Sequence, residues 1–386
     1  MLILGILTGL IILVLLVVIH ELGHAIIARR NGVVVEEFGV GFPPKAWAKK
    51  VKSSILGKNV LFSVNWLPLG GFVKLKGEHD AADEKGSYGA ADYWVKTKIL
   101  LAGVFINWLA AIVLLTILSL SGIPKILPDQ FSVPSDTQVI REPLQVAFVG
   151  GDSPASKAGL KLGDKLLRFN GAEVTDPTGL TELTAANRGK QVELIYNRNG
   201  TEYETTTTLR AENTDKQGYL GISTIQREKL RATWSAPIVG VASTVQFTGA
   251  TLAGTGQIAW NALSGFVQSL SFDSQAREAG NKELATVSAS VAGPVGILGV
   301  IFPQAQSAGI EQLVFLTAII SLSLAVMNIL PIPALDGGRW FTMTIFRLLK
   351  KPLTKAREEK IQTIGFLILM GLVVLVTWAD IGKLFR

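Results

Sequence analysis

Between Met1 and Ala28 the chain carries one formal charge, Glu21, before Arg29-Arg30 ends the run. About 20 apolar residues cross a bilayer core, so this segment is long enough to span one. Similar runs occupy Ile99–Ser121, Leu313–Leu335 and Ile361–Ala379, and four membrane spans are expected. Nearly half of all residues are apolar, a fraction that soluble proteins also approach, so segment length decides the class. A secretory signal peptide fits the first run poorly. No basic residues follow Met1, and the run is long for the apolar stretch of a signal.

Charge gives the runs a direction. The loop Arg29–Lys98 holds 12 Lys/Arg against 7 Asp/Glu, and Gly338–Lys360 holds 7 against 2. The positive-inside rule puts both loops in the cytoplasm. The segment from about Gly122 to Gln312 is too long for its own charges to matter and is expected outside. The net charge of +7 then follows from topology. Nucleic-acid binding would need a coherent basic face, and none is present. With no cysteine, disulfides and thiolate metal sites are excluded.

Ala232–Phe272 has no charged residue but is rich in Gly, Ser, Thr and Ala, and Pro237 and Asn261 interrupt it. It is expected as amphipathic helices on the outer membrane surface, or packed against the spans. A single extra span here would put the motifs of the first and third spans on opposite faces. In the first cytoplasmic loop, Asn59–Gly77 reads as strands around a Leu67-Pro68-Leu69-Gly70-Gly71 turn, as a surface hairpin or a re-entrant one. Residues 124–226 have the composition of a soluble α+β domain. Gln145–Val149 and Gln191–Tyr196 read as strands, and Asp176-Pro177 as a helix start with Asp at the cap.

Two of the three histidines sit four apart around a glutamate, in His20-Glu21-Leu22-Gly23-His24. On a helix, i and i+4 share a face, so both imidazoles can reach one ion, with Glu21 beside it as a general base. Ionisable residues inside a span are costly and usually functional. Catalytic zinc normally has three protein ligands, so one is missing. The best candidate is Asp336, in Asn328-Ile-Leu-Pro331-Ile-Pro333-Ala-Leu-Asp336-Gly337-Gly338. The first and third spans run in the same direction, and both motifs fall near the cytoplasmic side. Without the histidine motif, the same residues would read as a plain helix-ending turn with Asp as the next cap. His79, in a polar loop, reads as an ordinary solvated residue.

Together, HELGH in the first span, LPLGGFVKL in the following loop and NILPIPALDGG in the third span resemble the site-2 proteases, of the bacterial RseP/RasP type. The resemblance covers nearly the whole chain. It implies an α-helical membrane protein of four transmembrane helices, with a membrane-re-entrant β-hairpin and an inserted extracytoplasmic PDZ-like domain. Residues 1–121 would form the first half of the protease core, with the hairpin at about 60–76. Residues 124–226 would be the PDZ-like domain, 230–312 an extracytoplasmic connector and 313–386 the second half of the core. His20, His24 and Asp336 would bind one Zn²⁺, with Glu21 as general base and acid. Asn328 would contact substrate backbone. The hairpin edge, Gly70, Gly71, Phe72 and Val73, would take the substrate as an added strand. Gly218, Tyr219, Leu220 and Gly221 match the carboxylate-binding loop of a PDZ domain, and Ala292–Ile297 matches a family motif before the third span. Two departures stand out: one PDZ-like domain instead of two in tandem, and Ala102-Gly103-Val104, which lacks the family's usual proline although Asn107 is kept.

The function implied is cleavage of transmembrane segments of single-span membrane proteins, of the anti-sigma-factor or signal-peptide-remnant kind. An upstream site-1 protease could act in the same pathway. The setting would be the lipid bilayer of the bacterial cytoplasmic membrane, with the active site near the cytoplasmic side. An inactive membrane-anchored PDZ adaptor is the alternative, which the complete ligand set and Glu21 oppose. A metal transporter is disfavoured, because four spans with one polar cluster offer no continuous polar path.

Overall fold

The computed structural model describes residues 2–213 and 218–384. They form two compact units, one of Met1–Leu118 with Pro237–Arg386, the other of Ser119–Ala236. Among the described residues, five helices are long and apolar enough to cross a membrane, or six if one bent pair counts as a span. The expectation of four spans is therefore too low by this measure.

Helix α1 (Leu2–Arg30) has no internal proline and an apolar surface nearly all round, as a bilayer requires of a segment that must satisfy its own backbone. It stops where Gly32 enters the left-handed region (φ +82°) and Val33 N–H returns to the Ala28 carbonyl at 3.0 Å. Its glycines mark close packing. A Cβ on Gly9 would stand 2.5 Å from the Phe302 ring, and one on Gly23 2.8 Å from the Ala102 carbonyl oxygen.

Strands β1 (Val35–Ser54) and β2 (Gly57–Leu75) pair with each other, and each is used twice. Val40 lies opposite both Gly71 and Val64, and Val64 opposite both Val40 and Trp47. The spatial order is therefore residues 45–54, 57–65, 35–40 and 71–75, with 35–40 parallel to 57–65, the two outer pairings antiparallel, and Gly71–Leu75 at one edge. The sequence led us to expect strands only around the Leu67–Gly71 turn. The sheet reaches back to Val35, through a stretch whose Gly41 and Pro43-Pro44 break the alternation that marks a strand. Helix α2 (Tyr93–Ser121) follows. Ala25, Ala28, Val35, Val60, Tyr88, Ile99 and Met343 belong to a buried core that joins the ends of α1 and α2 to this sheet.

The second unit begins with β3 (Ile123–Pro124), β4 (Gln138–Arg141), β5 (Leu144–Val149), α3 (Pro154–Lys157), β6 (Lys165–Phe169) and β7 (Ala172–Glu173). It continues through α4 (Pro177–Ala186), β8 (Gln191–Arg198), β9 (Thr201–Thr208), β10 (Ile222–Ile225) and β11 (Glu228–Arg231). One sheet has the order β10-β5-β6-β8-β9, with β7 on β6, and a smaller one β3-β11-β4. Asp176 caps α4 by accepting from Gly179 N at 2.9 Å. Asp164, almost fully buried, takes a forked pair of 2.7 Å bonds from Arg198.

The first unit resumes with α5 (Ala236–Ser269), α6 (Ser274–Ser290), α7 (Pro294–Gly296), a π-helical turn at Ile297–Ile301 and α8 (Phe302–Ser307). Then come α9 (Ile310–Ile329), α10 (Asp336–Leu348) and α11 (Lys355–Leu384). Helix α5 runs antiparallel to α2. Gly240 abuts Thr116, and eight residues on Trp108 Nε1 donates to Thr248 Oγ1 at 3.1 Å. Phe247 meets Phe315 of α9 edge-to-face, centroids 6.1 Å apart. Helix α5 packs against α2 and α9, and its small residues are what permit the close approach.

The third apolar run is not one helix through Leu335. Helix α9 stops at Ile329, and Asp336 opens α10. Pro331 and Pro333 cannot continue a ladder, and Ala334 takes φ +77°, its N–H held by Gln362 Oε1 at 2.6 Å. Gly337 and Gly338 lie so close to the Ile329 and Ile332 carbonyls that no side chain fits at either position.

Candidate metal centre

Helix α1 puts His20 and His24 one turn apart on a buried face, each 6 % exposed. The tight α9–α10 turn brings the Asp336 carboxylate onto them. Asp336 Oδ2 lies 3.0 Å from His20 Nε2 and 3.2 Å from His24 Nε2, and the two Nε2 atoms are 3.2 Å apart. Ligands about 2.0–2.1 Å from a tetrahedral ion are about 3.3 Å from one another, so the three donors are spaced as one zinc ion needs. His24 Nδ1–H donates to the Ile99 carbonyl at 2.7 Å, which leaves Nε2 as the lone-pair nitrogen facing the cluster. The residues present therefore fit a metal ion.

Glu21 points from α1 toward the sheet edge, where its Oε2 accepts from Val73 N–H at 3.1 Å. It lines two cavities. The larger, about 670 Å³, is shared with His24, Asp336, Phe72, Val73, Glu78 and Arg339. The smaller, about 270 Å³, is shared with His20, Gly70, Gly71, Asn107 and Asn328. The four edge residues named from the sequence thus run past both cavities. Asn328 sits on α9 and donates to its own helix at Leu324 O, 3.0 Å. Gly218, Tyr219, Leu220 and Gly221 lie in the other unit and lead into β10. There Leu220 O accepts from Ala155 N at 3.0 Å and Gly221 O from Gly150 N at 2.9 Å. His79 lines the larger cavity, with Nε2 3.8 Å from Glu359.

Sequence reasoning missed the charged cluster behind Asp336. Arg339, one turn along α10, bonds Glu358 Oε1 at 3.1 Å and Glu78 Oε1 at 3.2 Å, donates to the Glu78 carbonyl and lies over the Tyr88 ring. Glu358 also accepts from Asp80 N at 2.8 Å. These bonds tie α10 to the first loop and to α11. Burial pushes the Tyr88 phenol above its ordinary range, with the Arg339 charge opposing and nearby carboxylates adding. The available signal was the spacing from Asp336 to Arg339, which puts both on one helix face. Gly103 faces both imidazoles from α2.

An HExxH helix, a carboxylate from a second helix and apolar helices long enough to cross a bilayer define a metalloprotease of the multi-pass membrane class. The chain belongs to peptidase family M50, the site-2 proteases, whose sequence model matches residues 8–372. It is 33% identical over 371 residues to a protein named as a zinc metalloprotease in Clostridium perfringens, covering 95% of each chain. It is 25% identical over 457 residues to the regulator of sigma-W protease RasP of Bacillus subtilis, covering 96% of each. A crystal structure of a Listeria monocytogenes PDZ domain matches 22% of this chain and 87% of that one, at 19% identity and a TM-score of 0.20, which carries no argument about fold.

Proposed function

We propose that the chain is a zinc endopeptidase that cuts the transmembrane segments of single-span membrane proteins. The observation that carries this reading is the triangle of His20, His24 and Asp336 donors, 3.0–3.2 Å on a side, with Glu21 next to it at the sheet edge. Zinc, when bound, supplies a Lewis acid for the scissile carbonyl. Glu21 takes the proton of the attacking water and passes it to the leaving nitrogen. A helical substrate must unwind first, because helix hydrogen bonds hide its carbonyls. Adding it as a strand to Gly71–Leu75 replaces those bonds. Val73 N–H donates to Glu21, so an arriving strand takes that donor and releases the carboxylate toward the scissile bond. Asn328, across the smaller cavity from Gly70 and Gly71, is placed to hold substrate backbone.

On this reading the site lies near the cytoplasmic face of a bacterial cytoplasmic membrane, and the Ser119–Ala236 unit is an extracytoplasmic PDZ-like filter for substrates already trimmed by a site-1 protease. Substrates of the anti-sigma-factor kind follow from the likeness to RasP, whose name ties it to sigma-W. The test is cleavage of a fluorescent single-span substrate by purified protein. Glu21→Gln should lose at least about 10²-fold in rate while keeping its zinc. Equal cutting by wild type and variant would refute the assignment.

A further inference from the structure

Of the three donors to the candidate metal centre, His24 is fixed by the Ile99 carbonyl and Asp336 by the α9–α10 turn. The far nitrogen of His20 faces the side chain of Asn107 on α2. The Asn107 amide nitrogen is 3.4 Å from His20 Nδ1. The residue is fully buried, and its side-chain oxygen is buried without a hydrogen-bond partner. In this arrangement the amide donates to Nδ1, the proton of the neutral ring sits on Nε2, and Nε2 donates to Asp336. An imidazole in that tautomer cannot ligate through Nε2.

A half-turn of the amide about its last bond reverses all of this. The unpartnered oxygen moves to the position facing Nδ1 and accepts Nδ1–H, and the Nε2 lone pair then faces the other two donors. The two amide orientations have the same shape and differ in which tautomer of His20 they hold. A ligating histidine almost always donates its second nitrogen to an oxygen, which is the bond His24 makes to Ile99.

We propose that Asn107 is a positioning residue of the metal centre, whose side-chain oxygen accepts Nδ1–H of His20 and so presents Nε2 to the ion. The proposal rests on the zinc reading above. It adds a residue from a third helix to the site, and it gives the pattern Gly103-x-x-x-Asn107 a physical meaning. The two residues are one turn apart on α2: Gly103 leaves room for both imidazoles, and Asn107 sets the rotation of one. The backbone role of Asn107 is separate. Its carbonyl accepts from Ser321 Oγ of α9 at 2.8 Å, a contact that survives replacement of the side chain.

The test is zinc affinity of the full-length protein in detergent, measured by competition with a chromophoric chelator. Asn107→Leu keeps the volume and removes the acceptor, and should bind zinc about 10- to 100-fold more weakly than wild type. Asn107→Asp keeps an acceptor and should stay within about threefold of wild type, as in carboxylate–histidine–zinc arrangements. The d–d absorption of the cobalt-substituted proteins gives a second readout of ligand geometry, altered in Asn107→Leu and retained in Asn107→Asp. Melting of the zinc-free proteins checks the fold. Wild-type affinity in Asn107→Leu, or equal weakening in both variants, overturns the proposal and leaves Asn107 a packing residue. Failure of wild type itself to bind zinc overturns the zinc reading and this proposal with it.

Discussion

Gly103 offers the sharpest test of how the site is packed. A Cβ placed there would lie 2.5 Å from His20 Cε1 and from His24 Nε2, and 2.6 Å from His20 Nε2. Carbon–carbon contacts are comfortable at about 3.5 Å, so Gly103→Ala must push the imidazoles, or α2 itself, by about 1 Å. Both rings are buried and held at their far nitrogens, so they cannot swing away freely. Overpacking of this kind costs about 1–3 kcal/mol, which a helical bundle can survive. A displacement of about 1 Å at a reacting centre costs about 10²-fold in rate. Gly103→Ala should therefore fold, bind zinc less tightly and cut a model substrate about 10²-fold more slowly. Gly254→Ala is the control, because a Cβ there meets nothing within 4 Å. The assay pairs initial cleavage rates with metal content and melting temperature for both variants. If Gly103→Ala keeps more than half the wild-type rate with full zinc, the reasoning that the glycine exists to seat the histidines is wrong.

Two further outcomes follow from the charged groups outside the bundle. Arg339→Met should destabilise the protein by about 3 kcal/mol, the low end for a broken buried pair because Glu78 is more than a third exposed, and should lower activity by loosening the turn that carries Asp336. Arg339→Lys should not restore either, since an ammonium cannot bridge Glu78 and Glu358 as the planar fork does; full rescue in both assays would reduce Arg339 to a point charge. Asp136 accepts four bonds from Thr233 and Ser235 just before α5. Desolvation pushes its carboxyl up, but those bonds outweigh it and hold the group below the usual carboxylate range. The stabilisation is then present above the unfolded value of about 3.9 and is lost as pH falls toward the lowered folded value. The melting-temperature gap between wild type and Asp136→Asn should shrink below about pH 4, and a gap that stays constant from pH 7 to pH 3 would refute the account.

The chemistry of the site was legible because it depends on short spacings within helices. His20 and His24 had to share a face whatever else the chain did, and charge bias in the flanking loops was enough to expect Asp336 beside HELGH, where its carboxylate lies. What was not legible depends on close approach between distant segments. The length of helix α5 was hidden because glycine, serine, threonine and alanine lower its hydropathy, yet those are the residues that let it lie against α2 and α9. The sheet was underestimated for a related reason. Val40 and Val64 each serve two partners, and no strand pattern reveals that a residue is paired on both sides until the bend at Gly41–Pro44 is known. Asn107 could be seen in the sequence as an asparagine in the second span. Its value lies in a buried amide beside one imidazole, which only the packing of α2 against α1 supplies.

Hydrolysis inside a bilayer needs water and peptide to reach one atom from different surroundings, and the two cavities at Glu21 match that need. The larger is lined by Glu36, Lys74, Glu78, Arg339, Glu358 and Glu359, and at about 670 Å³ it has room for many waters at about 30 Å³ each. The smaller is lined by Val17, Phe42, Leu324, the two edge glycines and two asparagine amides. It has the composition expected of a slot for backbone, apolar at its walls with a few fixed polar groups. Glu21 is common to both, and the edge strand Gly71–Leu75 runs from the wall of the smaller into the wall of the larger. On the proposed reading, the side chain that must take a proton from water and give it to the peptide nitrogen stands where the wet side and the peptide side meet. Moving Glu21 by one residue along α1 would turn it about 100° away from both cavities, so the helix fixes the base as firmly as it fixes the ligands.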